Sequence, residues 1–439
     1  MSLFCLHRNY FRKENLYLII PLLFFTFWAF HCFYYLNTIK YKELGEFWDP
    51  DFSVFYDAGQ QILKNPADLY KVSRFLYMPS FAIFFAFTFS LLPLQISYNA
   101  FYFVNYLSGM FAILEFNRIL ILMGVKKKAH RFIFLIIISN GFLLWIIFYF
   151  NHFKFIVFLI LLFIIRREIQ YRKEGRKKNG KYYILTYGLF IFILGMAPYF
   201  IFILFIYVFQ EIKLKDLIKK ESLKIYLIIV AWFIIQNITF ILYPSQFFEF
   251  LKGFNRPTKE IRGAYPLYLK DFIKIKPSQI TVISFVFTVI LVIITVILVL
   301  IRNQNIENKF SLFLLAYLFF GIISHPPLIA YLCFSFVLFL FVQFLEQDVK
   351  GFDFLKKNTI FLIGLISILG IYLFTNNFFF WVISPLIKEQ DFGIFYTYRL
   401  LVLHVIMLTC ILILYAKRYN LLPRIKNRIF KSNLNLNEL

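Results

Sequence analysis

The sequence predicts an all-α fold, a single multi-pass membrane domain over residues 1–439 with about twelve transmembrane helices and a helical first outer loop. Three observations predict it. The chain is 61% hydrophobic and 22% aromatic but only 16% charged, where a soluble domain carries roughly 25% charged residues. Apolar runs recur that are long enough to cross a hydrocarbon core about 30 Å thick. The basic residues fall between those runs rather than within them.

Taken in order, the predicted crossings are 16–36, 98–122, 132–149, 153–165, 183–196, 198–210, 225–243, 279–301, 310–323, 327–345, 359–375 and 397–416. The first follows Arg8, Arg12 and Lys13. It is too long for a signal-peptide core and lacks a small-residue cleavage site, so it reads as a retained helix. The run from Pro79 to Pro93 is apolar but short, and it reads as a re-entrant or interfacial helix rather than a crossing.

Charge supports that choice. With the N-terminus inside and 79–93 not crossing, the segments facing the cytoplasm are the N-terminus, 126–131, 166–181, 213–224, 302–309, 350–357 and the basic tail 417–439. They hold 31 of the 47 lysines and arginines; the longer outer segments and their helix ends hold 15, and Arg118 lies inside a helix. Counting 79–93 as a crossing would move 126–131 and 166–181 outside, against the positive-inside rule. The large outer loops are then 37–97 and 244–279.

The net charge of +24 is therefore read as topology, and no nucleic-acid partner is expected. Cys5, Cys32, Cys333 and Cys410 are scattered with no C-x-x-C pair, which suggests neither a zinc site nor a disulfide framework. No convincing internal repeat is visible, which disfavours a transporter built from inverted repeats.

The first outer loop carries the sharpest chemical signal. Asp49, Asp51 and Asp57 lie within nine positions, in a chain poor in acids. A carboxylate at a membrane surface, walled by Tyr56, Tyr77 and phenylalanines, can take a proton from a sugar hydroxyl. It can equally hold a metal, cap a helix or solvate the loop. The second outer loop gathers Lys252, Arg256, Lys259, Arg262, Lys270, Lys274 and Lys276 against the positive-inside trend. An anionic ligand is one reason to keep cations there, and Arg256 and Arg262 can grip phosphate through two bonds; a solvated or headgroup-binding loop is the other reading. His325, in Ser324-His325-Pro326-Pro327, falls at a late outer turn, and Asn151 and His152 at an earlier one. His31 and His404 stand alone within crossings.

The stretch Asp51-Phe52-Ser53-Val54-Phe55-Tyr56-Asp57-Ala58, then Asp68-Leu69-Tyr70, Tyr77-Met78-Pro79 and Leu92-Pro93, resembles the start of the polyprenyl-phosphate-mannose-dependent α-mannosyltransferases, membrane enzymes of the C-type glycosyltransferase fold. The match covers residues 51–93. In that family the acid opening the motif is the proposed base, which the resemblance carries onto Asp51, with Asp49 and Asp57 as the nearby alternatives. Two family patches are missing. Tyr149-Phe150-Asn151-His152 lacks the family's Gly-Gln, and Gly195-Met196-Ala197-Pro198 lacks its Lys before Pro.

The resemblance implies an inverting transfer of a hexose, mannose foremost, from a polyprenyl-phosphate donor to a glycolipid or glycan acceptor at the outer face of a microbial plasma membrane. Asp51 and His325 would be the catalytic groups. Asp57, Tyr56, Tyr77, Asn151, His152, Arg256, Arg262 and Lys270 would contact substrate. No cofactor is required, though related transferases can use a divalent metal. The partners expected are the lipid-linked donor, the acceptor and membrane lipids. Rival readings are a lipid-linked oligosaccharide transporter, a non-catalytic subunit of a membrane complex or, within the fold, a protein O-mannosyltransferase or aminoarabinose-type transferase.

Overall fold

The computed structural model describes residues 13–34, 37–38, 50–72, 75, 77–139, 152–255, 277–301 and 305–320. Every regular element among them is helical. A 3₁₀ turn, Lys13–Leu18, leads into α1, Ile19–Tyr34. The stretch Leu16–Tyr34 is long and apolar enough to cross a membrane, and shorter apolar helices lie at Pro79–Thr88, Gly180–Met196, Ile201–Glu211 and Thr288–Leu300.

In the segment expected as the first outer loop, α2 spans Pro50–Lys64 and a 3₁₀ turn follows at Pro66–Lys71. Proline at the first position pre-sets helical φ for α2. For the turn, Asn65 caps the backbone N–H of Ala67. The Pro79–Pro93 run folds as α3, Pro79–Thr88. Its ten residues give a rod of about 15 Å, half a hydrocarbon core.

The long helix α4 is Leu94–Leu122, with α5 at Lys128–Ser139 and α6 at Lys154–Lys173. Then come α7, Gly180–Met196, and α8, Ile201–Glu211. They are followed by α9, Lys220–Gln236, and the single turn α10, Ile238–Leu242. The last described helices are α11, Ser245–Asn255, α12, Pro277–Leu300, and α13, Ile306–Phe320.

Two expectations on helix bounds are corrected. The crossing expected as one helix over 225–243 breaks at Asn237. Its side chain accepts from the Ser80 backbone N–H at 3.4 Å and donates to the Phe233 carbonyl at 3.1 Å, which holds the backbone out of helical register. The helix expected at 153–165 continues to Lys173, because its polar last turns find partners in neighbouring helices.

Those partners define a charged end of the bundle. Glu168 of α6 lies 2.7 Å from Lys178 and 3.5 Å from Arg172, and accepts from the hydroxyls of Tyr182 at 2.7 Å and Tyr207 at 3.2 Å. Lys178 also pairs with Glu211 at the end of α8. Arg172 reaches Glu307 of α13 at 2.6 Å, and Lys309 reaches Gln210 at 2.7 Å. Glu115 of α4 pairs with Arg118 and with Arg166 of α6. Burial alone would push the Glu168 carboxyl up, but the Lys178 and Arg172 charges and the hydrogen bonds from Lys178 and Tyr182 hold it below its ordinary value. Glu211 goes the other way: burial raises it, Lys178 opposes, and the Glu168 charge raises it further.

These contacts fix helix directions. Asn105 meets the carbonyl of His152 at one end and Glu115 meets Arg166 at the other, so α4 and α6 run parallel. Tyr182 against Glu168 and Lys178 against Glu211 make α7 antiparallel to both α6 and α8. Tyr17 bonds Asn117 and Tyr102 bonds the Ala29 carbonyl, which sets α1 antiparallel to α4. Residues 115–118, 166–178, 211 and 305–309 therefore share one end. Residues 77–80, 105, 152 and 195 share the other.

Candidate functional site

The end opposite the charges is built on α2. Its buried stripe is Phe52, Phe55, Ala58, Gly59 and Ile62, the period of a helix packed on one face. Gly59 permits the close approach to α3: a Cβ there would fall 2.2 Å from Ser90 Oγ and 2.9 Å from the Ala86 backbone nitrogen. Phe52 packs against Phe85, Tyr98 and Phe101. Phe55 is the hub, with ring centroids 5.2 Å from Tyr77, 5.8 Å from His152 and 5.4 Å from Phe153.

The structure thus gathers part of the predicted site. Asp51 stands in the first turn of α2. The Tyr56 hydroxyl donates to the Leu92 carbonyl at 2.9 Å, and Ser90 Oγ donates to the Tyr56 carbonyl at 2.9 Å. These bonds fasten α2 to the turn between α3 and α4. Asp57 is exposed, on the side of α2 away from Phe55. Partial desolvation raises its carboxyl above the ordinary value, and Lys64 pulls the other way. Tyr77 is half-buried, and its carbonyl accepts from the Tyr70 hydroxyl at 2.9 Å. His152 is buried, with its carbonyl held by Asn105 Nδ2 at 2.6 Å. Asn151, Arg256, Arg262, Lys270 and His325 lie outside the described residues.

The described start of the segment expected as the second outer loop, residues 244–255, joins the same end. Gln246 donates to the Pro66 carbonyl, and Tyr70 packs on Phe240 and Phe250. The Met78 backbone N–H bonds the Gly195 carbonyl at 3.1 Å, which ties the start of α3 to the end of α7.

Lys154 was not singled out by the sequence reading. It is 6% exposed, and its ammonium sits 4.8 Å from the centre of the Phe153 ring. The available signal was a lone lysine opening the otherwise apolar run 153–165. Sequence reasoning also missed a set of buried oxygens at this end. Ser80 Oγ, Asn105 Oδ1, Thr239 Oγ1 and Gln246 Oε1 have no hydrogen-bond partner; such atoms are satisfied by water or by a polar ligand group.

A cleft of about 220 Å³ opens between α1 and α4, lined by Ala29, Phe30, Phe33, Asn99, Tyr102 and Tyr106 among others. Among the described residues, no three His, Cys, Asp or Glu side chains gather as a metal site would require. No family model, no curated protein and no solved structure matches the chain.

Proposed function

We propose that this chain is a multi-pass membrane glycosyltransferase that inverts configuration as it moves a hexose, mannose foremost, from a polyprenyl-phosphate carrier to a hydroxyl of a lipid-linked or cell-surface glycan. One observation carries the reading: the helix that holds Asp51 in its first turn packs through Phe55 on Tyr77 and His152, beside the buried cation Lys154. An acid at a helix start, an aromatic wall and a cation within one end are the parts this transfer needs.

Further support comes from the rest of the bundle. Leu23, Phe27 and Phe30 of α1, Phe103 and Phe111 of α4, Leu227 and Val230 of α9 and Phe285 and Ile293 of α12 are large apolar side chains left exposed. Surfaces of that kind are suited to lipid. The segments that meet at the charged end are those the positive-inside count assigns to the cytoplasm, and those that meet at the aromatic end are the outer ones. The cleft between α1 and α4 has the apolar lining an isoprenoid segment would fill.

In the proposed reaction Asp51 takes the proton of the acceptor hydroxyl. The oxygen attacks the anomeric carbon, the bond from that carbon to the phosphate oxygen breaks, and the polyprenyl phosphate departs. Lys154, with His325 and the cations of the second outer loop (Arg256, Arg262 and Lys270), would stabilise the charge on that leaving group. The test is transfer from radiolabelled polyprenyl-phosphate mannose in membranes carrying wild type or Asp51→Asn. Label reaching a lipid or glycan with wild type and not with the variant supports the proposal. Equal transfer by the two removes Asp51 as base, and no transfer by either removes the mannose assignment.

A further inference from the structure

The opening of α5 at the charged end runs against helix electrostatics. Its first turn, Lys128–Arg131, has no acidic residue, although a helix N-terminus favours negative charge. Lys126, Lys127 and Lys128 are all exposed at this mouth. Behind them Arg131 is 8% exposed. Its Nη1 donates to the Val125 carbonyl at 3.2 Å, and the guanidinium carbon lies 5.1 Å from the centre of the Tyr17 ring. Tyr17 is itself held by Asn117 at 3.0 Å. Arg131 Nε is buried with no acceptor. Among the described residues no carboxylate pairs with Arg131, Lys126 or Lys128. Lys178, Arg166 and Arg172, the less buried cations of this end, each have a carboxylate partner, and buried Lys309 has the Gln210 amide oxygen. An uncompensated buried guanidinium is among the costliest arrangements a fold can hold.

We infer that the turn Gly124–Lys128, the first turn of α5 and Arg131 form a binding site for a phosphate-type anion. The helix start supplies backbone N–H groups without intrahelical partners, the lysines supply attraction, and Arg131 supplies the fixed charge behind them. Leu16 on the 3₁₀ turn, Ile20 on α1 and Ile121 on α4 are exposed apolar side chains on elements of this end. A phosphate that carries hydrocarbon, the headgroup of an anionic lipid, therefore fits this place. The site stands independently of the transferase reading, because it lies at the opposite end of the bundle.

The full chain purified in detergent tests it, with three probes: short-chain phosphatidylglycerol, zwitterionic short-chain phosphatidylcholine and inorganic phosphate. Saturable thermal stabilisation by phosphatidylglycerol, and not by phosphatidylcholine, is expected. The exposed pair Lys126→Ser/Lys128→Ser should keep the unliganded midpoint of wild type and weaken the apparent affinity at least about tenfold. Arg131→Gln should abolish the response, and the lysine pair carries the test if that variant does not fold. An equal response to inorganic phosphate, lost in the same variants, keeps the site and assigns it to a soluble phosphate. No response to either anion, an equal response to phosphatidylcholine, or a response unchanged in the lysine variant overturns the inference.

Discussion

Replacing Glu168 by Gln tests the physics of the charged end. The Glu168 side chain is 2% exposed and faces Lys178, Arg172, Tyr182 and Tyr207. Removing one partner of a buried ion pair costs about 3–5 kcal/mol. Glutamine keeps an acceptor for one tyrosine, and Lys178 keeps Glu211, so the lower end, about 3 kcal/mol, is expected. At roughly 2 °C per kcal/mol for a long chain, the unfolding midpoint in detergent falls by about 6 °C. Glu211→Gln should behave differently. Its carboxyl is raised by burial and by the Glu168 charge, so a neutral side chain relieves both while Lys178 stays paired with Glu168; a loss below about 1 kcal/mol is expected.

The same pair has opposite pH signatures. The depressed Glu168 contributes stability that is present above the unfolded Glu value, about 4.3, and is lost as pH falls through its lower folded value. The raised Glu211 contributes stability below the unfolded value that is lost as pH rises through its higher folded value. As pH falls from neutrality, protonation of Glu211 should therefore stabilise wild type slightly, and Glu211→Gln should gain less. A Glu211→Gln loss as large as that of Glu168→Gln, measured by fluorescence-detected thermal unfolding, would refute this account.

Three further outcomes follow from the aromatic end. Gly59→Ala forces α2 off α3, because its methyl meets the Ala86 backbone; a loss of about 1–3 kcal/mol in the same unfolding assay is expected. Asn105→Ala removes the donor to the His152 carbonyl and should cost about 1–3 kcal/mol as a buried acceptor is left unmet. Asp57, expected to contact substrate, is instead exposed on the side of α2 away from the Phe55 hub, so Asp57→Asn should retain transfer activity; its raised carboxyl predicts a small gain in stability at neutral pH, seen as a higher midpoint.

Hydropathy made the helical class legible, and the shortness of the Pro79–Pro93 run made its separate character legible, because length against bilayer thickness is a one-dimensional property. A helix within 37–97 is expected, and Pro50 at its start and the helical spacing of Phe52, Phe55 and Ile62 account for it. What the sequence concealed are contacts made only by tertiary packing. Glu168 and Lys178 lie near one another in sequence, but Glu211 and Glu307 are brought to Lys178 and Arg172 by α8 and α13. Read as sequence, segment 166–181 is a basic run that sets topology; folded, it is a web of ion pairs. Asn237 looks like a polar residue inside an apolar run, and only its bond to the start of α3 explains the break there. Lys154 was counted among the outer charges and is instead buried beside Phe153.

The proposal turns on whether the carboxylate at the start of α2 takes the acceptor's proton, and single-turnover transfer from radiolabelled polyprenyl-phosphate mannose measures that step directly. Asp51→Asn is predicted to lose at least about a hundredfold in rate while binding donor as wild type does and unfolding at the same midpoint. Transfer by Asp51→Asn at the wild-type rate would contradict it.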